Sequence, residues 1–384
     1  MGRLKFPNHF LVDTGDFFGQ AGEQDSLKSA FMVEAMSRLG YDVVALGERE
    51  LNFGQKFLLD GFRKTKMDLV CANLVHRDDG KPFVKPYVVR KVGDVRVAFF
   101  GLMAKDLRLR TIPGERPLEI QEPFEAARRL LPEMRKKADI VVLLSHVGLT
   151  EGQRLTLEVP GIDVMVFGHQ VGLFREVTKT NGVINVRSGD RGQHVPMIHL
   201  VVQDRKVASY DGEVVALDAK VPGDEAMTQL VDAMEDELNR RTAQANQGTT
   251  QQGAAATAAA ITRDHYLGEK NCRRCHEAEY QIMKDHRHNH AWETLVKAQR
   301  DQSPECIRCH VVGYGQAGGY VSKSSTPDLV NVQCENCHGM GTRHDEMAGG
   351  KMTVGPQVCA QCHNQERSPD FQFEDAVQLI KHWE

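Results

Sequence analysis

Short apolar runs alternate with amphipathic segments over the first 218 residues of the chain. Seven runs have the length and apolar content of strands: Phe10–Thr14, Asp42–Leu46, Asp68–Asn73, Val95–Leu102, Ile140–Ser145, Val164–Gly168 and Val183–Val186. Several are apolar at nearly every position, which is typical of strands covered on both faces. Three segments between them have helical periodicity: Ser26–Leu39, Gln55–Thr65 and Pro123–Ala138. This alternation predicts an α/β domain with helices packed on a sheet.

The pattern changes after this region. Met197–Gln203 and Val207–Asp211 predict a hairpin that closes the domain, and Gly223–Arg241 predicts a helix with one apolar face. Thr242–Thr262 contains no aromatic or charged residue and predicts a mobile linker, with an Ala-rich helix as the alternative for its second half. The sequence therefore predicts a first domain at 1–241, a linker at 242–262 and a second domain at 263–384.

Composition and charge exclude some classes of partner. The hydrophobic fraction of 41% and the charged fraction of 26% fit a globular protein. A net charge of −4 gives no case for nucleic acid as a partner. No apolar run is long enough to span a membrane.

The second domain carries the strongest chemical signal, because Cys-x-x-Cys-His occurs in it four times. The motifs are Cys272-Cys275-His276, Cys306-Cys309-His310, Cys334-Cys337-His338 and Cys359-Cys362-His363. Two thiols at this spacing can bond the two vinyl groups of one porphyrin, and the imidazole that follows becomes the proximal iron ligand. Zinc knuckles are the alternative, but zinc does not require a His after every second Cys. The motifs therefore predict four covalently bound haem c groups.

Six further histidines of this domain compete for the distal iron positions. The best candidates are His288, His290, His344 and His382, with His265 and His286 in reserve. The pattern Tyr280–Gln299 predicts one helix, on which His288 and His290 would point to roughly opposite faces and could serve two different haems. Two imidazoles on each iron predict low-potential haems.

Four polar residues follow predicted strands of the first domain: Asp16, Glu48, His146 and His169. Carboxyl ends of strands are where α/β folds place their sites. Taken singly, each residue predicts no more than a cap or a polar edge of the core. Taken together, two carboxylates and two imidazoles suit a divalent metal ion.

In this order, and with Cys71-Ala72-Asn73-Leu74 and Val186–Gly192, these residues resemble the metallophosphatase domain of the periplasmic 5′-nucleotidase (UshA-like) family. The resemblance covers roughly Phe10–Leu217. It implies an α/β sandwich in which two metal ions activate water against a phosphate ester. It also implies that Asp16 is the bridging carboxylate and that His146 and His169 are further ligands.

Departures from the family pattern predict a degenerate site. The family's Gly-Asn-His-Glu is Gly47-Glu48-Arg49-Glu50 here, so Glu48 replaces the metal-binding Asn and can still ligate through oxygen. Arg49 stands at the position of the family's catalytic His and cannot act as an acid. Val171 replaces another ligand, and the family's Asp-x-His would precede Phe10. We therefore expect at most one divalent ion and weak or no hydrolysis. We also expect a missing N-terminal segment, and whether that segment carries Asp-x-His and an export signal stays open.

The second domain resembles the multihaem cytochrome c554 family. The segments that carry this resemblance are His288–Trp292, Pro304–Cys306, Gly318–Val321, Val332–Gly339, Gly341–His344 and Glu366–Phe371. The resemblance implies a mainly helical, loop-rich domain with four packed haems, most of them with two His ligands. It also implies periplasmic electron transfer, with other cytochromes or quinol-linked carriers as redox partners.

Three classes of function remain open. The first is an electron-transfer cytochrome whose first domain is a degenerate binding or docking module. The second is a working metal-dependent phosphoesterase with a redox domain, which Arg49 and Val171 disfavour. The third is a multihaem reductase of a small nitrogen or sulfur compound at an open iron, which the supply of six spare histidines for four irons disfavours.

Overall fold

The computed structural model describes residues 8–20, 23–169, 172–173, 176–189, 192–218, 220–238, 240–241, 265–298, 300–342, 354–364 and 368–382. The chain divides into two compact units, Met1–Val231 and Asp232–Glu384. The predicted linker, Val171 and His344 lie outside the described residues.

The first unit is built on strands. They are β1 (Val12–Asp13), β2 (Val43–Ala45), β3 (Asp68–Val70), β4 (Leu74–His76), β5 (Tyr87–Val92), β6 (Val95–Met103), β7 (Leu118–Ile120), β8 (Ile140–His146), β9 (Val164–Phe167), β10 (Thr178–Thr180), β11 (Val183–Arg187), β12 (His194–Gln203) and β13 (Lys206–Ala216). Its helices are α1 (Glu23–Leu39), α2 (Gln55–Arg63), α3 (Pro123–Lys137) and α4 (Leu149–Glu158), with a 3₁₀ turn at Arg49–Leu51. Residues 225–238 are also helical.

Two sheets form the centre of this unit. A parallel sheet has the order β1-β2-β3, and a larger sheet has the order β10-β11-β9-β8-β6-β5, in which β6, β8, β9 and β11 run parallel. Apolar side chains of both sheets, such as Val43 and Ala45 from one and Val142 and Leu144 from the other, share one buried layer. The sheets therefore face each other as a sandwich, with their carboxyl ends free to carry polar side chains.

Helices cover the outer faces of the sandwich. Phe124, Leu131 and Met134 of α3 pack with the apolar residues of the larger sheet, while α1 and α2 pack on the smaller sheet. Pro123 stands at the first turn of α3, where its fixed φ favours the helix and its missing N–H costs nothing. Because both faces of β8 are covered, all seven of its residues are buried. This explains its unbroken apolar sequence.

The predicted α/β sandwich is confirmed. All seven predicted strands, the three predicted helices and the hairpin are present, with ends that shift by a few residues. Helix α4 was not predicted from the sequence, because Gly152 within it lowers the helical signal. A Cβ at Gly152 would lie 2.4 Å from Cε1 of Phe167, so the glycine lets the helix pack closely on the sheet.

The second unit is helical and rich in loops, as predicted. Its helices are α5 (Glu269–Cys272), α6 (Glu277–Asp285), α7 (Ala291–Lys297), α8 (Pro304–His310), α9 (Cys334–His338), α10 (Pro356–Cys359) and α11 (Phe373–Leu379), with 3₁₀ turns at Arg287–His290 and Pro327–Leu329. One small apolar cluster joins α7, α8 and the loops that follow: Trp292, Leu295, Ile307, Val311, Val312, Tyr320 and Leu329.

The single helix predicted for Tyr280–Gln299 is wrong. The helix α6 ends before His286, whose φ of −80° and ψ of 151° are extended, and a 3₁₀ turn then leads into α7. The argument from opposite helix faces therefore does not apply to His288 and His290.

None of the described helices has the length and apolar character that a membrane crossing requires.

Candidate functional sites

The four polar residues predicted at the strand ends come together. Asp16 follows β1, Glu48 follows β2, His146 ends β8 and His169 lies two residues beyond β9. One ligand atom from each lies within 4.8 Å of the others. The carboxyl ends of both sheets therefore contribute to a single cluster, which we call the four-ligand cluster.

His146 is the most enclosed member of the cluster. Its Nδ1 donates a hydrogen bond to the carbonyl oxygen of Thr14 at 2.8 Å, which directs Nε2 towards Glu48 Oε2 at 3.2 Å and Asp16 Oδ2 at 3.6 Å. Burial lowers the pKa of His146, but hydrogen bonds to the two carboxylates outweigh it and raise the pKa to about 10. Without a metal ion the cluster thus keeps a proton on Nε2 of His146, and a bound metal ion would replace that proton.

Two members of the cluster sit on strained backbone. Asp16 has a φ of 66° and His169 a φ of 59°, in the left-handed region that costs a non-glycine residue about 1 kcal/mol or more. The rings of His146 and His169 lie 4.9 Å apart between centroids. Burial and the charge on His146 lower the pKa of His169, so its imidazole stays neutral and able to bind a metal.

Gly47 and Glu50 shape the space around Asp16. A Cβ at Gly47 would lie 2.3 Å from Asp16 Oδ1 and 2.7 Å from Cε1 of His146, so any larger residue would displace two members of the cluster. The carboxylate of Glu50 is fully buried and accepts backbone N–H groups from Asp16 at 2.8 Å, Gly47 at 2.8 Å and Phe18 at 3.2 Å. Burial raises the pKa of Glu50 to about 7 despite these bonds. The sequence-based prediction gave Glu50 no role. The match of Gly47-Glu48-Arg49-Glu50 to the family's Gly-Asn-His-Glu could have pointed to it, because the Glu is the residue that the two segments share at the last position.

Arg49 places a second cation beside the cluster. Its backbone N–H donates to Asp16 Oδ1 at 3.1 Å, and its Nε lies 3.7 Å from Asp16 Oδ2. Burial raises the pKa of Asp16, but His146 and Arg49 together hold it below its ordinary value. Because a guanidinium keeps its proton, Arg49 can attract an anion but cannot protonate a leaving group.

The donor set of the cluster fits one divalent ion. Two carboxylates and two imidazoles match the preferences of zinc, manganese or iron, and their spread of 4.8 Å suits ligands around a single centre. Bound there, the ion would lower the pKa of a coordinated water.

The cysteines of the second unit approach one another across motifs. The thiols of Cys272 and Cys334 are hydrogen-bond neighbours, as are those of Cys309 and Cys362. Cys337 lies near Cys359. Burial and the neighbouring Cys309 raise the pKa of the Cys362 thiol to about 12. All four motifs therefore belong to one cluster.

Two predicted distal histidines lie beside proximal ones. The rings of His288 and His363 are 6.1 Å apart between centroids, and those of His338 and His382 are 5.9 Å apart. His382 Nδ1 donates to the carbonyl oxygen of Ile380 at 2.8 Å, and such a bond leaves Nε2 for a metal.

The other predicted axial histidines are placed differently. His310 Nδ1 donates to the carbonyl oxygen of Ala291 at 2.6 Å, which suits a proximal ligand. His276 and His290 have 51% and 54% of their side-chain surface exposed. The reserve residue His286 lies 4.8 Å from His288 between ring centroids. His344 lies outside the described residues.

Comparisons with known proteins find relatives for both parts of the chain. The family model "Cytochrome c554 and c-prime" matches residues 271–339. Cytochrome c-554 of Nitrosomonas europaea is 41% identical over 91 residues, or 20% of this chain and 39% of that protein. A 2′,3′-cyclic-nucleotide 2′-phosphodiesterase/3′-nucleotidase of Haemophilus influenzae is 28% identical over 202 residues, or 45% of this chain and 30% of that protein.

A solved structure supports the similarity of the first unit to nucleotidases. The 5′-nucleotidase precursor of Thermus thermophilus superposes with a TM-score of 0.54 at 26% identity, over 60% of this chain and 50% of that one. The chain joins a UshA-like metallophosphatase-type domain to a cytochrome c554-like domain. This fusion spans less than half the length of either curated relative named above.

The cytochrome c554-like domain implies haem c, and its residues fit that group. The matched residues 271–339 contain three of the four motifs, and the fourth follows at Cys359-Cys362-His363. Two imidazoles on opposite sides of one metal have centroids about 6 Å apart, since each metal–nitrogen bond is about 2 Å. The separations of 6.1 Å for His288 and His363 and 5.9 Å for His338 and His382 match this spacing.

Proposed function

We propose that this fusion is an extracytoplasmic multihaem c-type cytochrome that transfers electrons, and that its first domain is a degenerate nucleotidase-like module. The observation that carries the proposal is the convergence of four Cys-x-x-Cys-His motifs on one cluster, with two histidine pairs at the spacing of opposite axial ligands. When bound, haem c supplies one-electron redox centres. The protein's task is then to hold these centres close together and tune them.

Contacts between motifs support a continuous path. Hydrogen-bonded thiols join the first motif to the third and the second to the fourth, and Cys337 of the third motif lies near Cys359 of the fourth. No motif is left out of this series, so each centre has a near neighbour. We propose four haems with mainly two His ligands, with His288 and His382 as distal ligands and His290 and His344 as the remaining candidates.

The proposed location and partners follow from the attachment chemistry. Haem is joined to Cys-x-x-Cys-His outside the cytoplasm, so we place the protein in the periplasm or an equivalent compartment. Its redox partners would be other cytochromes or quinol-linked carriers. The domain limits 1–241, 242–262 and 263–384 stay a prediction. In this prediction the linker at 242–262 lets the first domain reach a partner.

The first domain is proposed to bind one divalent ion at Asp16, Glu48, His146 and His169 without efficient phosphate-ester hydrolysis. Two-metal hydrolysis needs both ions and a group that stabilises the developing charge or protonates the leaving group. Asp16 here pairs with Arg49, which keeps its proton, so this chain supplies no acid at that position. Phosphate release from nucleotides that Asp16→Ala abolishes would contradict this part of the proposal.

The electron-transfer proposal is tested by stopped-flow reoxidation of the reduced protein. We expect rapid exchange with an oxidised c-type cytochrome and no exchange with nitrite, hydroxylamine or nitric oxide. Fast multi-turnover reduction of one of these small molecules would instead assign the protein to the reductases.

A further inference from the structure

A second charged feature of the first unit lies at the opposite end of its larger sheet from the four-ligand cluster. A cavity of about 540 Å³ is bordered by residues just before β8, β9 and β11 and by the turn between β12 and β13. The seven residues of β8 separate the two features by roughly 20 Å at about 3.3 Å per residue. The cavity is therefore separate from the metal centre, and its volume is that of a small-molecule site.

Positive charge is concentrated in this cavity. Its charged lining residues are Arg135, Lys136, Lys179, Arg205 and Lys206, together with Asp139 and Asp163. Five cations and two acids leave a balance of +3, in a chain whose net charge is −4. The cavity thus attracts anions within a protein that repels them overall.

The two arginines are held in place by the two acids. Arg135 Nη2 lies 2.7 Å from Asp163 Oδ2, and Arg205 Nε lies 2.7 Å from Asp139 Oδ1. Asp139 also accepts the backbone N–H of Arg96 at 2.8 Å. Because these carboxylates are already engaged, they fix the guanidinium groups at the cavity without removing the excess positive charge.

The three lysines come from different segments and are exposed. Lys136 lies at the end of α3, Lys179 in β10 and Lys206 at the start of β13. Over the part of the chain that the structure describes, none of the three forms an ion pair, and Lys179 Nζ lies 5.8 Å from the ring centroid of Tyr210. Like charges gathered at one cavity repel each other, and a bound anion would relieve that repulsion.

We propose that this cavity binds a compact polyanion of the oligophosphate class. Lysine ammonium groups act as mobile point charges for phosphate, and the fixed guanidinium groups supply directional donors. A concave site of this volume favours a small ligand over the flat acidic surface of a protein. The proposal does not depend on the function proposed for the haems.

The test is calorimetric titration of the full-length, haem-loaded protein with sodium tripolyphosphate at low ionic strength, in EDTA to keep the four-ligand cluster free of metal. We expect one saturable site whose affinity falls as salt is added. The double variant Lys179→Glu/Lys206→Glu should lose about tenfold or more in affinity. The matched control Lys64→Glu/Lys66→Glu makes the same charge change at positions of the same unit outside the cavity and should retain the affinity.

Three outcomes would overturn the proposal. One is the absence of saturable binding, and another is an equal loss in the control, which would show a general charge effect. The third is binding of an acidic peptide but not of tripolyphosphate. Thermal unfolding followed by circular dichroism verifies that both double variants are folded before they are compared.

Discussion

The two units of this chain have interiors of different kinds. In the first, both faces of the central sheets are buried, and even a whole strand such as β8 is inaccessible to solvent. In the second, nine apolar side chains are buried among the described residues, and the longest described helix, Glu277–Asp285, has nine residues. A core this small rarely stabilises a fold without metals, cofactors or cross-links.

This difference changes what a functional site means in each unit. The four-ligand cluster is added to a fold that its own apolar residues already explain, so we expect the sandwich to stay intact when a ligand is removed. In the second unit, the residues that would attach haem occupy the places where an apolar core is missing. If haem binds there as proposed, the site and the core of this unit coincide.

The largest expected effect comes from withholding haem. If the protein is produced where haem attachment cannot occur, we expect the first unit to keep its structure and the second to lose it, because only the second depends on the cofactor for its interior. Limited proteolysis with mass spectrometry would show cleavage confined to 232–384. If the second unit resists the protease without haem, its fold does not depend on the cofactor, and the contrast between the two interiors is wrong.

Removing a ligand tests the independence of the first unit. Asp16→Ala should abolish binding of Mn²⁺ in calorimetry while the unfolding midpoint of the first unit changes little, since the fold does not need the ion. The expected loss exceeds the roughly 10- to 100-fold cost of deleting an outer-shell partner. Asp94→Ala, at an exposed acid outside the cluster, is the control. Equal affinity in the two variants would mean that Asp16 is not a ligand.

A smaller effect is expected from Glu50→Gln. The amide would turn an NH₂ group towards backbone donors that now face a carboxylate, and Asp16 would lose its fixed position. We expect metal affinity to fall about 10- to 100-fold, as for other outer-shell partners. The comparison variant is Glu119→Gln, which changes an exposed carboxylate. If Glu50→Gln binds the metal ion with unchanged affinity, Glu50 stabilises the fold and does not position Asp16 for metal binding.

The smallest expected effect concerns a single haem. His382→Met should raise the midpoint potential of one centre and leave the others in place, because a Met/His pair raises the potential relative to two imidazoles. A redox titration followed by absorbance would resolve the shift. His199→Met, in the first unit, should not change the titration. If His382→Met also leaves it unchanged, His382 is not the partner of His338.

The sequence could predict the four-ligand cluster because parallel strands end at the same edge. Neighbouring parallel strands bring Asp16 close to Glu48 in the smaller sheet and His146 close to His169 in the larger one, and the family resemblance indicated that the two pairs meet. The role of Glu50 could not be predicted in this way. It depends on backbone N–H groups of Asp16, Phe18 and Gly47 in the loops that follow β1 and β2, and the path of those loops leaves no periodic signal in the sequence.

The second unit was harder to predict beyond its motifs. The spacing of cysteines and histidines predicts where haem attaches, but no periodicity reveals the break at His286 that divides the helix predicted for Tyr280–Gln299. Which distal histidine faces which proximal one depends on such breaks. In the first unit, an internal glycine hid α4, since its helical signal is weak until Phe167 packs against it.

The central claim is that the second unit is organised around four covalently attached haems. The most direct test is the intact mass of the chain after production in a host with haem-attachment machinery. We predict a mass increase of four haems per chain, one for each motif. An increase of two haems or fewer, or stoichiometric zinc in place of haem iron, would contradict the account.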